Sequence, residues 1–219
     1  MTQCWFLAVL VVVGLGADYV HQDLAGRGRG VSLAEANPRE RGKGTELLAE
    51  RFSSPDLAGW TLSPPGPWSV QGGRLKAVLP NVKQEKALAY FGSEQWQNYS
   101  VDLDVCGMRG ADKGVVVRVD GSEGVGVDLR GGGYDDVLLY HNSQQLGKSG
   151  APNQNGHWHH LRIEARGARY QVFVNGALKI NYDDQANTRP AGRLALAAYT
   201  GGKGECEVLY DNVAVRSLH

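Results

Sequence analysis

Three polar side chains on consecutive segments, Arg118, Asp128 and Tyr140, have the chemistry of a saccharide site. Charged groups bond pairs of sugar hydroxyls, and a tyrosine ring stacks on the C–H face of a sugar. Each of the three alternates with apolar neighbours, which predicts that it lies on the face of its strand opposite the core. If the strands are antiparallel neighbours, the sequence predicts that the three side chains share one exposed surface. An exposed Arg–Asp pair beside a half-buried tyrosine, without a ligand, is the alternative.

Two further acids, Asp102 and Asp104, are candidates for a catalytic pair, because hydrolysis of a glycosidic bond normally requires two carboxylates at a fixed separation. They alternate with Val101, Leu103 and Val105, which is typical of the solvated face of a strand. The sequence therefore favours binding over catalysis.

The cysteines allow two interpretations. Cys4 falls in an apolar N-terminal run, which leaves Cys106 and Cys206. An even pair in an exported chain predicts a disulfide. Two separate buried thiols are the alternative.

The segments that carry these residues are short and alternating, and Gly, Pro, Asn or Asp separates them. Such spacing predicts an all-β sandwich or barrel. Trp68, Trp158 and Phe173 are predicted to lie between two sheets. Thirteen strands are expected, at residues 48–52, 68–70, 74–78, 87–91, 99–105, 114–119, 125–129, 137–140, 158–165, 170–174, 178–182, 194–198 and 206–215.

The N-terminal residues differ from the rest in composition. Residues 5–17 (WFLAVLVVVGLGA) are uninterruptedly apolar and end in small residues, so 1–17 is predicted to be an export signal. An uncleaved anchor or a buried strand is the alternative. Residues 18–46 are predicted to form a linker or weakly ordered arm, and 47–219 a single domain without a further membrane span. The expected location is outside the cell, in the periplasm or at the cell surface.

The charge balance restricts the partners. Lys plus Arg total 23 and Asp plus Glu total 23, so the formal net charge is zero. A neutral chain offers no electrostatic attraction to nucleic acid or to an anionic membrane. Small neutral ligands, among them saccharides and glycans, are compatible with this charge balance.

The order of several motifs resembles a known superfamily. The motifs are WSVQGGRL (68–75), NYSVDLDV (98–105), HWHHLRI (157–163), YQVFVNG (170–176), GRLAL (192–196) and YDNVAV (210–215). In this order they resemble the concanavalin A-like lectin/glucanase superfamily, and most closely laminin-G-like and 3-keto-disaccharide hydrolase domains. The resemblance implies an all-β fold, a two-sheet antiparallel jelly-roll sandwich.

The resemblance also bears on function. Laminarinase-type members carry Glu-x-Asp-x-x-Glu on one strand, a motif that this sequence lacks around Asp102. The leading expectation is an exported, non-catalytic carbohydrate-binding or adhesion module. The alternatives are an enzyme acting on 3-keto-disaccharides or related glycosides, and a protein-interaction domain of laminin-G type. Related sandwiches often hold a structural calcium ion near the segment of Asp211, which makes that residue a candidate ligand. The alternative is that Asp211 caps a bulge or holds a turn.

Overall fold

The computed structural model describes residues 44–121, 123–186 and 188–219. These residues form fifteen β-strands arranged in two antiparallel sheets. The strands are β1 (Glu46–Glu50), β2 (Thr61–Ser63), β3 (Trp68–Gln71), β4 (Arg74–Leu79), β5 (Lys86–Phe91), β6 (Tyr99–Gly110), β7 (Asp112–Asp120), β8 (Glu123–Arg130), β9 (Asp136–His141), β10 (Gln144–Gly150), β11 (Trp158–Arg166), β12 (Arg169–Val174), β13 (Ala177–Asp183), β14 (Arg193–Tyr199) and β15 (Cys206–Ser217).

The two sheets confirm the predicted jelly-roll sandwich. The eight-stranded sheet has the order β13, β12, β11, β6, β15, β4, β3, with β1 also paired to β15. The seven-stranded sheet has the order β10, β9, β8, β7, β14, β5, β2. The consecutive strands β7, β8, β9 and β10 are neighbours in the second sheet, so residues that alternate along them lie side by side.

Two strands, β2 and β10, were not predicted. β2 has only three residues and runs directly into Pro64 and Pro65. β10 has the sequence QQLGKSG, which contains residues that are rare in strands. Both lie at the edges of the seven-stranded sheet, where a strand pairs on one side only and needs less β-propensity.

The core forms where the inward faces of the two sheets meet. Trp68 is 7% exposed and packs in this core, as predicted. The prediction is wrong for Trp158 and Phe173, which are half-buried on the outer face of the eight-stranded sheet. In β11 the inward positions are taken by His159, Leu161, Ile163 and Ala165.

The predicted disulfide is wrong, and the alternative of two buried thiols describes the structure. Cys106 and Cys206 are both free and buried. Cys106 lies opposite Leu209, whereas Cys206 lies opposite Gly110. An offset of at least three residues separates their Cα atoms by about 10 Å, beyond the limit of about 7 Å for a disulfide.

The predicted export signal at 1–17 and most of the predicted arm at 18–46 lie outside the described residues. Within the described ranges, no helix is long and apolar enough to cross a membrane.

Candidate functional site

A groove of about 530 Å³ lies on the outer face of the seven-stranded sheet. Its lining comes from alternate residues of β5, β14, β7, β8 and β9, which point away from the core. The lining residues are Gln84, Lys86, Leu88, Tyr90, Asp112, Val116, Val119, Glu123, Gly124, Asp128, Tyr140, Asn142, Ser143, Ala197 and Tyr199.

The floor of the groove is apolar and is formed mostly by small side chains. Leu88, Val119, Ala195 and Ala197 form a small buried cluster separate from the main core, with Val116 packed against it. Gly114 on β7 lies directly between Asp128 on β8 and Ala197 on β14 in the register of the sheet. Because Gly114 has no side chain and Ala197 has only a methyl group, the surface beside Asp128 is hollow.

Asp128 and Tyr140 form the polar centre of the groove. The side chains of Tyr140 and Asp128 lie next to each other, with the Tyr140 hydroxyl facing the Asp128 carboxyl. Gly126 lies directly opposite Tyr140, and a methyl group built on Gly126 would be only 2.1 Å from Cζ of Tyr140. The tyrosine ring therefore lies flat over strand β8 because position 126 has no side chain.

A second carboxyl, that of Asp112, lies near Asp128. Gly114 pairs with Asp128, so Asp112 is the diagonal neighbour of Asp128 on the same face. Diagonal neighbours of this kind are about 7–8 Å apart. The Asp112 carboxylate also packs against Gly201, where an added methyl group would be 2.4 Å from Oδ2.

The environment favours the neutral forms of both carboxyls. Burial raises the pKa of Asp128 to about 7, with a further increase from the charge of Asp112, while Arg130 and Lys113 act in the opposite direction. Burial also raises the pKa of Asp112. A carboxyl that titrates near neutral pH can either accept or donate a proton, which is the property expected of an acid–base group.

The two ends of the groove are polar. The proximal end comprises Gln84, Lys86, Asp112 and Tyr199. There the Tyr199 hydroxyl donates a hydrogen bond to Oε1 of Gln84. The distal end comprises Val119, Glu123, Gly124, Asn142 and Ser143. Hydroxyl, amide and carboxyl groups at both ends provide directional partners for a ligand that lies on the apolar floor.

The expected position of Arg118 on this surface is wrong. Its φ of 52° and the irregular register between Val117 and Asp120 form a bulge that turns the side chain into the protein, where it is 0% exposed. Nη1 donates to the carbonyls of Gly167 (2.7 Å) and Arg189 (2.9 Å), and Nη2 donates to that of Gln97 (3.0 Å). The guanidinium thus satisfies loop carbonyls and is not available to a ligand in the groove.

Of the three predicted site residues, the structure brings Asp128 and Tyr140 together. Sequence reasoning missed Asp112, Lys86, Tyr90 and Tyr199. Alternation along residues 112–116 does place Asp112 on the face of Gly114 and Val116, but its nearness to Asp128 depends on the register between β7 and β8.

Asp211, the predicted calcium ligand, lies in β15. Its Oδ1 accepts a hydrogen bond of 2.7 Å from the backbone N–H of Asn212, whose side chain donates to Oδ2 of Asp104. In the part of the chain that the structure describes, no group of three or more His, Cys, Asp or Glu side chains could hold a metal ion. Calcium at Asp211 stays a prediction.

Solved structures with a similar fold include a carbohydrate-binding module, a putative glycosyl hydrolase and a carbohydrate recognition domain. A carbohydrate-binding module from Bacillus subtilis is 18% identical with a TM-score of 0.59, over 73% of this chain and 96% of that one. A putative glycosyl hydrolase from Parabacteroides distasonis is 19% identical with a TM-score of 0.53, over 78% and 100%. The carbohydrate recognition domain of Emp46p is 14% identical with a TM-score of 0.58, over 80% and 97%. At these identities the likeness extends to the fold alone.

Sequence comparison identifies the family. A search of the curated proteins finds no match. A model of the 3-keto-alpha-glucoside-1,2-lyase-like domain matches residues 49–216, which include every residue of the groove. The chain therefore belongs to the 3-keto-alpha-glucoside-1,2-lyase-like domain family.

Proposed function

We propose that the groove binds a neutral saccharide. The observation that carries this proposal is the Asp128–Tyr140 pair beside a floor of glycine, alanine and valine. A sugar has C–H faces that pack on such a floor and hydroxyls that bond a carboxyl and a phenol, while ligand sites generally combine apolar walls with few polar groups. The family to which the chain belongs supports the same class of ligand.

Binding to an immobilised glycan panel, followed by calorimetry with the sugars retained, tests this proposal. Asp128→Asn keeps the size of the side chain. At pH 8, above the Asp128 pKa of about 7, loss of a charged hydrogen bond is expected to weaken binding by about 1.5–3 kcal/mol, or more than tenfold. Gly126→Ala is expected to weaken binding as well, because the added methyl group displaces the Tyr140 ring.

Gly150→Ala is the matched control for Gly126→Ala. Gly150 also lies in a strand of the same sheet, but an added methyl group there has no neighbour within 4 Å. Binding should be unchanged in this variant. Equal affinities for the wild-type protein and Asp128→Asn would show that the saccharide does not contact this carboxyl.

A second candidate function is cleavage of a 3-keto-glycoside by elimination. The Asp112–Asp128 pair favours it, because it supplies two carboxyls, at least one of which titrates near neutral pH. In this reaction the ionised carboxyl removes the proton from C2, which the adjacent C3 carbonyl acidifies. The C2–H electron pair forms the C1=C2 double bond, the C1–O bond breaks, and the leaving oxygen takes a proton from the second carboxyl.

Incubation with a 3-keto-disaccharide separates the two functions. An active wild-type protein should release the leaving sugar and an unsaturated keto product that absorbs in the ultraviolet. Asp128→Asn and Asp112→Asn should each abolish release even at substrate concentrations that saturate the weakened site. Binding without release in the wild-type protein would leave recognition as the function and exclude elimination.

We also propose that the protein is exported, on the basis of the apolar run at residues 5–17. Protein recovered from its native host should then begin near Asp18. An intact Met1 on protein recovered from inside the cell would contradict export.

A further inference from the structure

The groove is longer than one sugar ring, and its lining extends both along β7 and across the neighbouring strands β5, β14, β7, β8 and β9. Along β7 its lining extends from Asp112 to Val119, which at the rise of a β-strand corresponds to about 20 Å. Its volume of about 530 Å³ falls in the range of about 300–1,000 Å³ that encloses a drug-sized ligand, which for a saccharide is about two to four pyranose units.

The bulge at Arg118 leaves the distal end of the groove open. Regular alternation after Val116 would place the Arg118 side chain on the outer face, across the line of the groove. Because the bulge turns Arg118 inward, Val119 takes the outward position and joins the apolar floor. The floor thus continues beyond Val116 to the distal end.

The distal end has polar side chains of its own, separate from those of Asp128 and Asp112. Asn142 and Ser143 form the two-residue turn between β9 and β10, with φ angles of 48° and 64°. Two consecutive residues with positive φ form the tight hairpin turn that matches the twist of paired strands. The turn fixes both side chains at the rim of the groove, where they can bond a sugar without a cost of ordering a loop.

We propose that the groove binds an oligosaccharide of about three units, with one unit beside Asp128 and another at the distal end. This inference rests on the proposed saccharide function and specifies its ligand as a chain instead of a single sugar. Glu123 also lies at the distal end, but its charge is neutralised by an ion pair with Arg189. The distal contacts are therefore those of neutral hydroxyl and amide groups, which suit a neutral chain.

Calorimetry with two chain-length series tests this proposal. The probes are glucose with maltose to maltopentaose, and glucose with cellobiose to cellopentaose. Affinity should rise at least tenfold from one to three units, about 1.4 kcal/mol, and should change little from three to five. In N142G/S143G, which removes both distal side chains at positions where glycine accepts a positive φ, the trisaccharide should lose at least threefold in affinity while glucose is unaffected.

Asn175→Gly is the matched control. Asn175 also has a positive φ, 50°, in a hairpin turn, but it lies in the turn between β12 and β13 and does not line the groove. This variant should bind all members of both series as the wild-type protein does.

The outcomes distinguish an oligosaccharide ligand from a single sugar. Equal affinity for one, two and three units overturns the oligosaccharide inference and leaves the saccharide function standing. A trisaccharide affinity unchanged in N142G/S143G also overturns it, because the distal end would then contribute nothing. No binding of any member of either series, together with no sugar retained from the glycan panel, contradicts the saccharide function itself, and with it this inference.

Discussion

Replacement of Asp128 by asparagine should stabilise the protein above neutral pH. Burial and the charge of Asp112 raise the pKa of Asp128 from 3.8 to about 7. A carboxyl whose folded-state pKa is raised contributes stability below its unfolded pKa, and this contribution is lost as the pH rises through the folded pKa. At about 1.36 kcal/mol per pKa unit, ionised Asp128 lowers the free energy of unfolding by up to about 4 kcal/mol at pH 8.

Urea denaturation of the wild-type protein and of Asp128→Asn, at intervals from pH 4 to pH 9, measures this effect. The two free energies of unfolding should agree at pH 4 and separate between pH 4 and pH 7. At pH 8 the variant should be more stable, by about 2–4 kcal/mol. Asp56→Asn, at an exposed position, is the control and should follow the wild-type protein at every pH.

A constant difference between the two proteins across this pH range would refute the reasoning, because it would mean that Asp128 ionises as easily in the folded as in the unfolded chain. The expected result has a functional meaning too. A group that lowers stability in its working form is typical of a site maintained for binding or catalysis.

Three further predictions concern the rest of the sandwich. Both Cys106 and Cys206 should be alkylated under denaturing conditions without reductant, as peptide mapping will show. A linked peptide pair would contradict the structure. In the native protein Cys206 should react slowly, because burial raises its pKa to about 11. Burial lowers the pKa of His160, but hydrogen bonds to Asp102 and Asp104 outweigh it and raise this pKa to about 9. His160→Ala should therefore cost stability at pH 6 and much less at pH 10. Equal losses in urea denaturation at the two pH values would argue against the charged pair. Trp68→Ala should destabilise the protein by about 3–5 kcal/mol and the half-buried Trp158→Ala by clearly less, as melting temperatures will show; a larger effect at Trp158 would mean that the faces of β11 are misassigned.

The fold could be predicted from sequence because its signals are local. Alternating apolar residues and explicit turn residues such as Asn175–Gly176 mark most strands without knowledge of their partners. The edge strands β2 and β10 were missed because a strand with one neighbour needs less apolar surface and less β-propensity. Trp158 and Phe173 were misplaced because large aromatic side chains were assumed to lie inside, although each occupies an outward position in its strand.

The site was predicted only in part because it depends on register and on one bulge. Asp128 and Tyr140 follow simple alternation and were identified. Arg118 breaks the alternation at a single residue with a positive φ, and an arginine in that conformation has no signature in the sequence. Asp112 becomes a neighbour of Asp128 only through the pairing of β7 with β8, which a single sequence does not specify.

The inward turn of Arg118 also has a consequence for cooperativity. Its guanidinium joins β7 to carbonyls at Gln97, Gly167 and Arg189, and its backbone N–H donates to the Tyr99 hydroxyl at 2.7 Å. Segments far apart in the chain must therefore open together if this strand opens. We expect the amides around Arg118 to exchange hydrogen as slowly as those of the core. This part of β7, next to the distal end of the groove, then opens only when the whole domain unfolds.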